Sequence, residues 1–157
     1  MKTADLIDDH QKDLTLVHLP FRRFGLSPYF AAPIQTVRCF EDNTEVRAQL
    51  ETPGEGRVLV VDGGGSTRVA IVGDMLAEFG IKNGWAGLVL NAAIRDSAEI
   101  EAMNTLVFAL GTTPVKSTKL GWGEVGCPIS FGGVQFSPGD WVYGDADGVL
   151  FSKRMLI

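Results

Sequence analysis

An unbroken run of apolar residues, 58–61, ends in Asp62 and three consecutive glycines. A strand with apolar side chains on both faces is typical of a sheet that is covered on both sides. A second apolar run follows at residues 85–93, after a stretch in which apolar residues recur at intervals of three or four. Buried strands that alternate with helical segments predict an α/β fold.

The rest of the chain mixes helical and extended patterns in its first two thirds and favours short antiparallel strands in its last third. Helices are predicted at residues 5–10, after the capping candidates Asp42 and Asn43, and after Ser97; residues 67–79 are predicted to form either one helix or a helix broken around Gly73. Strands are predicted at 34–40 and within 107–116, and FGGVQF is predicted to form a hairpin. This order favours a layered α/β sandwich, formed as a single domain over residues 1–157.

Charge and composition exclude several classes of protein. The chain has 157 residues and a formal net charge of −5, whereas proteins that bind nucleic acid directly concentrate Lys and Arg. The N-terminus lacks the basic start and apolar run of a secretory signal, and no window reaches 18 apolar residues. We therefore expect a cytoplasmic protein that binds neither membrane nor nucleic acid. Cys39 and Cys127 lack the spacing of a disulfide framework or a zinc site.

The three glycines at 63–65 resemble a phosphate-binding loop, because a strand that leads into glycines and a helix exposes free backbone N–H groups. The spacing fits neither a P-loop, GxxxxGK[ST], nor a dinucleotide fingerprint, GxGxxG with a ribose-binding acid. A methyltransferase is disfavoured for the same reason, since no acid-bearing strand follows at the required interval. We expect instead that the glycines permit a close approach of backbone segments.

Three charged residues form a more informative pattern. Asp74 follows Gly73, and Arg95 and Asp96 end the otherwise apolar or small stretch LVLNAAIRD. Charged residues at the carboxyl end of a buried strand lie where open α/β sheets bind ligands. A guanidinium suits a carboxylate, and an Asp carboxylate suits Mg2+. The set could therefore hold an α-keto acid against a divalent cation; on spacing alone, a surface salt bridge with a helix N-cap is the alternative.

Four longer motifs occur in this order: VLVVDGGGSTRVAIVGDMLAE, NGWAGLVLNAAIRD, ALGTTPVKS and FGGVQFSPGDWVYGDADGV. They resemble the RraA family (regulator of ribonuclease activity A), which includes class II aldolases that act on 4-hydroxy-4-methyl-2-oxoglutarate. The resemblance covers essentially the whole chain. It implies a layered β/β/α sandwich of the swivelling-domain type, assembled as a homotrimer or hexamer with sites between subunits. One branch of the family is enzymatic, and the other inhibits the endoribonuclease RNase E by protein contact.

The enzymatic branch carries an Asp, then twenty residues, then Arg-Asp, which Asp74, Arg95 and Asp96 match. The resemblance implies that Arg95 binds the carboxyl or keto oxygens of a pyruvyl group, that Asp96 coordinates Mg2+ or Mn2+, and that Asp74 orients a water that moves the proton. The backbone amides implied to bind the pyruvyl carboxylate belong to Gly73, Asp74, Met75 and Leu76. The glycine run would then form the floor of the keto-acid pocket.

These roles predict a divalent-metal-dependent carbon–carbon lyase whose substrate is a small 2-oxo acid. It would release pyruvate by retro-aldol cleavage of 4-hydroxy-4-methyl-2-oxoglutarate, by decarboxylation of oxaloacetate, or by both, because both reactions leave the same pyruvate enolate. The family's dedicated aldolases have a C-terminal extension that contributes an acid to the neighbouring subunit's metal site, and this sequence stops at Ile157; decarboxylation is favoured on this ground. The alternative function is a non-catalytic regulator that binds and inhibits an RNase E-type endoribonuclease.

Overall fold

The computed structural model describes all 157 residues, which form four helices and fourteen strands. The helices are α1 (Thr3–Asp9), α2 (Thr44–Leu50), α3 (Asp74–Lys82) and α4 (Ser97–Glu101). The strands are β1 (Thr15–Leu16), β2 (Arg22–Phe24), β3 (Phe30–Arg38), β4 (Val58–Asp62), β5 (Ala70–Val72), β6 (Gly87–Asn91), β7 (Ala93–Ile94), β8 (Val107–Ala109), β9 (Gly111–Thr112), β10 (Glu124–Val125), β11 (Ile129–Phe131), β12 (Val134–Phe136), β13 (Trp141–Asp145) and β14 (Gly148–Ser152). No helix has the length and apolar character needed to cross a membrane.

A large mixed sheet forms the middle of the molecule. Its central strands β3, β4, β6 and β8 are parallel, with Ile34 opposite Val58 and Val58 opposite Gly87. The remaining strands join antiparallel: β13, β14 and β1 continue from one side of β3, β10 pairs with the end of β3, and β2 closes the other edge beside β8. The apolar run 58–61 is completely buried within this sheet, as its lack of polar side chains predicts.

A second, smaller parallel sheet consists of β5, β7 and β9. One residue separates the end of β6 from the start of β7, and one residue separates the end of β8 from the start of β9, so the chain passes directly from the large sheet into the small one. Ala92 and Leu110 are the residues at these steps. Because the three short strands are parallel, their carboxyl ends lie at one edge, from which α3 and α4 then begin.

Two apolar cores cover the two faces of the central strands, since successive side chains of a strand point to opposite faces. On one face, helices α2, α3 and α4 contribute Val46, Leu50, Leu76 and Ile100 to a core with Val37, Val61 and Leu90. On the other face, the β11–β12 hairpin and the outer strands contribute Phe131, Phe136, Val142 and Phe151 to a core with Ile34, Val60 and Val89. The predicted layered β/β/α sandwich in a single chain is thus the observed architecture.

The structure corrects two of the predicted elements. Residues 67–79 were expected to be helical, but only the part after Gly73 is; Ala70–Val72 forms β5, since Ile71 and Val72 are β-branched and pair beside β7. The single strand predicted at 85–93 is two strands that belong to different sheets. The FGGVQF hairpin is confirmed: β11 and β12 pair antiparallel, and the connecting residues Gly132 and Gly133 both have positive φ.

Candidate active site

The carboxyl ends of the small parallel sheet converge on one open cleft of about 340 Å3. Gly73 follows β5, Arg95 follows β7, and Thr112 ends β9. The cleft is lined by Arg95, Asp96, Ser97, Thr112, Thr113 and Pro114. Parallel strands place the residues that follow them side by side, and this edge is where open α/β sheets bind ligands.

Arg95 and Asp96 are held at the cleft by the backbone. The Arg95 amide donates a hydrogen bond of 3.0 Å to the carbonyl of Val72, which fixes the end of β7 beside β5. Asp96 adopts the left-handed conformation, with φ 55° and ψ 40°, directly before α4. This conformation is uncommon for a residue other than glycine, and such residues occur often at binding sites. The turn lets both neighbouring side chains line one cleft, although they would diverge in an extended strand.

The Asp96 carboxylate lies at the start of α3. The Asp74 amide donates to Asp96 Oδ2 at 3.1 Å, and the Met75 amide donates to Asp74 Oδ1 at 2.8 Å. The positive end of the helix dipole favours negative charge at this position. Gly73 makes the approach possible, because a Cβ atom on it would lie 2.8 Å from Asp96 Oδ2. A larger residue at position 73 would displace the carboxylate.

Two carboxyl groups therefore share a small volume. A hydrogen bond with Asp96, burial, and the negative charge of Asp96 together raise the pKa of Asp74 above its usual value. Arg95 does not neutralise the pair by close contact, since its Nε lies 4.0 Å from Asp96 Oδ2. About a third of each side chain, 39% for Arg95 and 35% for Asp96, is exposed to solvent. The site thus holds excess negative charge beside an accessible guanidinium.

The donor set fits a hydrated Mg2+ or Mn2+. Mg2+ is usually bound by one or two carboxylates and keeps several waters, and Asp96 and Asp74 supply that number beside open space. The chain has no group of three or more His, Cys, Asp or Glu side chains that could enclose a metal ion. The residues therefore match a cation that shares its coordination shell with water and substrate, and they do not match an all-protein metal cage.

The structure brings together the predicted residues Asp74, Arg95 and Asp96, with Gly73 packed behind the Asp96 carboxylate. Met75 and Leu76 contribute at most their backbone, because the Met75 side chain is exposed and that of Leu76 is buried in the helix-side core. Of the predicted loop amides, those of Asp74 and Met75 already donate to carboxylates of the chain. A substrate carboxylate at the Asp74 amide would have to replace the Asp96 oxygen.

The sequence did not reveal four of the residues that line the cleft, Ser97, Thr112, Thr113 and Pro114. The segment that contains the threonines was predicted to be a strand and a turn, without a role. The position of this segment was the available signal: Thr112 and Thr113 follow a buried apolar segment, just as Arg95 and Asp96 follow the apolar run at residues 85–93. It was missed because β9 has only two residues and pairs with another two-residue strand.

The glycine run lies elsewhere, so the expectation that it forms the floor of the keto-acid pocket is wrong. Its three amides are used within the chain: Gly63 and Gly65 donate to the Asn91 carbonyl, and Gly64 donates to Asp62 Oδ1. No amide of the run is left for a phosphate, in agreement with the spacing argument. Gly64 instead lines a larger groove of about 730 Å3, which we call the aromatic groove; residues 38–40, Asp62, Gly64 and residues 120–124 form its walls.

The fold and the cleft define a β/β/α domain with an open cleft at the carboxyl edge of its smaller sheet. The family model for RraA-like proteins, described as Aldolase/RraA, matches residues 3–151. The chain therefore belongs to the RraA-like family.

Similar proteins carry three different names. A protein of Aromatoleum aromaticum named "Putative 4-hydroxy-4-methyl-2-oxoglutarate aldolase" is 49% identical, over 99% of this chain and 98% of its own. The structure of the RNA-processing inhibitor RraA from Thermus thermophilis is 41% identical with a TM-score of 0.93, covering 98% of this chain and 93% of its own. A Geobacillus kaustophilus structure described as an S-adenosylmethionine: 2-dimethylmenaquinone methyltransferase is 51% identical with a TM-score of 0.97, covering 99% and 97%.

Proposed function

We propose that the protein is a divalent-metal-dependent carbon–carbon lyase that releases pyruvate from a small 2-oxo acid. The observation that carries this proposal is that Arg95 and Asp96 line one open cleft, while the Asp96 carboxylate lies 3.1 Å from the amide of Asp74, the first residue of α3. The substrates would be 4-hydroxy-4-methyl-2-oxoglutarate, oxaloacetate or both. The aldolase name of a relative that is 49% identical supports the same reaction class.

Asp96, with Asp74 beside it, would hold Mg2+ or Mn2+. A bound cation would supply positive charge at the keto oxygen of the substrate, where negative charge develops during the reaction. Arg95 is free to bind a substrate oxygen, because its guanidinium makes no hydrogen bond within the chain and its nearest acid lies 4.0 Å away. Its planar donors would orient the carboxylate next to the keto group and stabilise the growing charge.

Both reactions break the bond between C3 and C4 of the substrate. In oxaloacetate the electron pair of this bond moves toward the keto group, and CO2 leaves. In the aldol substrate the C4 hydroxyl also loses its proton, and the departing fragment becomes a second molecule of pyruvate. Each reaction ends when C3 takes up a proton. Asp74, next to Asp96 at the start of α3, is placed to orient the water that delivers that proton.

Pyruvate formation tests this function. Each substrate is supplied with Mg2+, Mn2+ or EDTA, and the rate is measured above that of protein-free solution with the same metal. We expect activity with the metals and none with EDTA, and a loss of about 10²–10³ in turnover for Arg95→Ala and for Asp96→Ala. Arg154→Ala and Asp8→Ala serve as controls; both residues are exposed, Asp8 in α1 and Arg154 just after β14, and neither lines the cleft. Near-full turnover in either site variant would overturn the assignment.

A second candidate function is inhibition of an RNase E-type endoribonuclease by protein contact in the cytoplasm. Its support is the 41% identity to an RNA-processing inhibitor over almost the whole chain. Assembly as a homotrimer or hexamer is part of both proposals and is measured by sedimentation. The regulator would be favoured over the lyase if no pyruvate forms from either 2-oxo acid with any of the metals and the protein inhibits RNA cleavage by the ribonuclease.

We do not propose methyl transfer for this chain. The glycine run leads into the short strand β5 and does not open a helix, and all three glycine amides have partners within the chain. The segment therefore lacks the free amides with which a glycine-rich turn approaches a nucleotide cofactor.

A further inference from the structure

The aromatic groove is a second concave site, and it shares no residue with the cleft. Three large apolar side chains on its walls are mostly exposed: Phe40 by 57%, Leu120 by 74% and Trp122 by 69%. Phe40 rests on the glycine run, since a Cβ atom on Gly64 would lie 2.7 Å from its ring. Exposed aromatic side chains gathered in one groove are typical of an interaction site, whereas single exposed apolar residues are ordinary.

Charged groups line the same groove. Arg38 and Asp62 are neighbours in the register of the parallel strands β3 and β4, at the carboxyl ends of both. Glu124 on β10 lies opposite Arg38 in the antiparallel register. Arg38 donates to Glu124 Oε1 at 2.9 Å, and Asp62 Oδ1 accepts from Gly64 and Asn91. The second carboxylate oxygens, Asp62 Oδ2 and Glu124 Oε2, accept no hydrogen bond from the chain. Two carboxylates thus face one guanidinium, and a further cation would complete the set.

The groove does not provide a reactive thiol. Burial, and then the negative charges of Asp42 and Asp62, raise the pKa of the Cys39 thiol to about 12. Cys39 therefore stays protonated and acts as an apolar wall. The groove has an open backbone edge instead: β10 pairs only with β3, so the outer side of Glu124–Val125 can accept an extended strand.

We propose that the aromatic groove binds an arginine side chain presented by an extended segment of a partner protein. A guanidinium stacks on the faces of Trp and Phe and donates hydrogen bonds to carboxylate oxygens, and this groove offers exposed rings together with the unused oxygens of Asp62 and Glu124. The backbone of the segment would pair with β10, as in other complexes in which a peptide extends a sheet. The net charge of −5 favours the approach of such a segment.

Binding of a defined peptide to the full-length protein tests the proposal. The probe is an acetylated, amidated peptide, Gly-Ser-Leu-Arg-Leu-Ser-Gly, with a fluorophore at one end; the comparison peptide carries citrulline, which has the shape of arginine without its charge. By fluorescence anisotropy, we expect the arginine peptide to bind about tenfold more tightly than the citrulline peptide. Trp122→Ala and Glu124→Gln should each raise the Kd about fivefold or more. Asp96→Asn should leave it unchanged.

Three results would overturn the proposal. One is a lack of arginine-specific binding: the arginine peptide either does not saturate the protein at millimolar concentration or binds no more tightly than the citrulline peptide. Another is binding that is lost with Asp96→Asn and retained with Trp122→Ala, which would place the peptide in the cleft. The third is dissociation of the native assembly by Trp122→Ala in sedimentation, which would assign the groove to contact between copies of this chain. Each variant is first unfolded and followed by circular dichroism; a cooperative transition like that of the unchanged protein shows that the variant is folded.

Discussion

The cleft and the aromatic groove each contain an arginine next to an acidic side chain, but the two charges are in contact in the groove and apart in the cleft. In the groove, Arg38 lies 2.9 Å from Glu124 on the next strand, and the two form a salt bridge. In the cleft, Arg95 lies 4.0 Å from Asp96 Oδ2, and that oxygen instead accepts a hydrogen bond from the Asp74 amide. The groove arginine is engaged within the chain, whereas the cleft arginine is available to a ligand.

The difference comes from the backbone. Arg38 and Glu124 sit opposite each other on antiparallel strands, where cross-strand side chains come close and opposite charges pair. Arg95 and Asp96 are sequence neighbours, and Asp96 has the left-handed conformation; the Arg95 Nε atom stays 4.0 Å from Asp96 Oδ2. Asp96 is held by α3 and Arg95 is held by β5, so both stay near the cleft without neutralising each other. Catalytic sites commonly keep such groups apart at the expense of stability.

The largest effect is expected for Asp96→Asn. The amide keeps the size of the carboxylate and tolerates the left-handed conformation, but it removes the charge that would hold a cation. Pyruvate formation should fall by about 10²–10³, while the free energy of unfolding should stay the same or rise, because Asp74 loses a like-charged neighbour. Turnover and chemical denaturation are measured on the same preparation. A variant that is both active and less stable would show that the Asp96 carboxylate serves only to cap the start of α3.

Low pH should destabilise the wall of the aromatic groove by protonating Asp42, a buried carboxylate behind that wall. Burial alone would raise the pKa of Asp42, but hydrogen bonds from Thr44, Leu120 and Thr118 outweigh it and lower the pKa to about 2. The folded state therefore gains stability from this group above the usual pKa of an Asp, and loses it as the pH falls from about 4 to about 2. The contribution is on the order of 2 kcal/mol.

Denaturant unfolding between pH 7 and pH 2 measures this contribution. Asp42→Asn should be less stable at pH 7 and should lose less stability on acidification than the unchanged protein. A variant with the unchanged acid dependence would mean that other carboxylates determine it. Because Asp42 holds residues 118–120 against α2, binding of the arginine peptide should weaken in the same pH range.

Gly73→Ala should reduce activity by steric displacement. The added methyl would lie 2.8 Å from Asp96 Oδ2, and the φ of −118° is ordinary for any residue, so the effect is one of space and not of backbone strain. We expect a decrease in turnover of about tenfold, because a displaced catalytic group loses its alignment. Gly111→Ala is a matched control near the cleft, since its Cβ would contact nothing within 4 Å. Equal turnover in the two variants would contradict the close packing of Gly73 on Asp96.

Much of the fold followed from sequence patterns, because long buried elements carry strong signals. The apolar run at β4, the helical spacing of Val46 and Leu50, and the glycines of the β11–β12 hairpin each predicted the correct structure. The small sheet was missed, since strands of two or three residues are too short to show a period and are defined by pairing with distant segments. Arg95 and Asp96 were recognised because they are charged residues that end a long apolar stretch, whereas Thr112 and Thr113 carry no charge and end a strand of only two residues.

The smallest effect is expected for the Arg38–Glu124 pair. Both side chains are more than half exposed, at 52% and 61%, and an exposed ion pair contributes little to stability because water and salt screen it. Arg38→Gln, Glu124→Gln and the double variant form a cycle, in which chemical denaturation should give a coupling energy that is close to zero and decreases with added salt. Pyruvate formation should not change in any of the three, since neither residue lines the cleft. A strong loss of activity would mean that the groove and the cleft work as one site, and the contrast between an engaged and an available arginine would then fail.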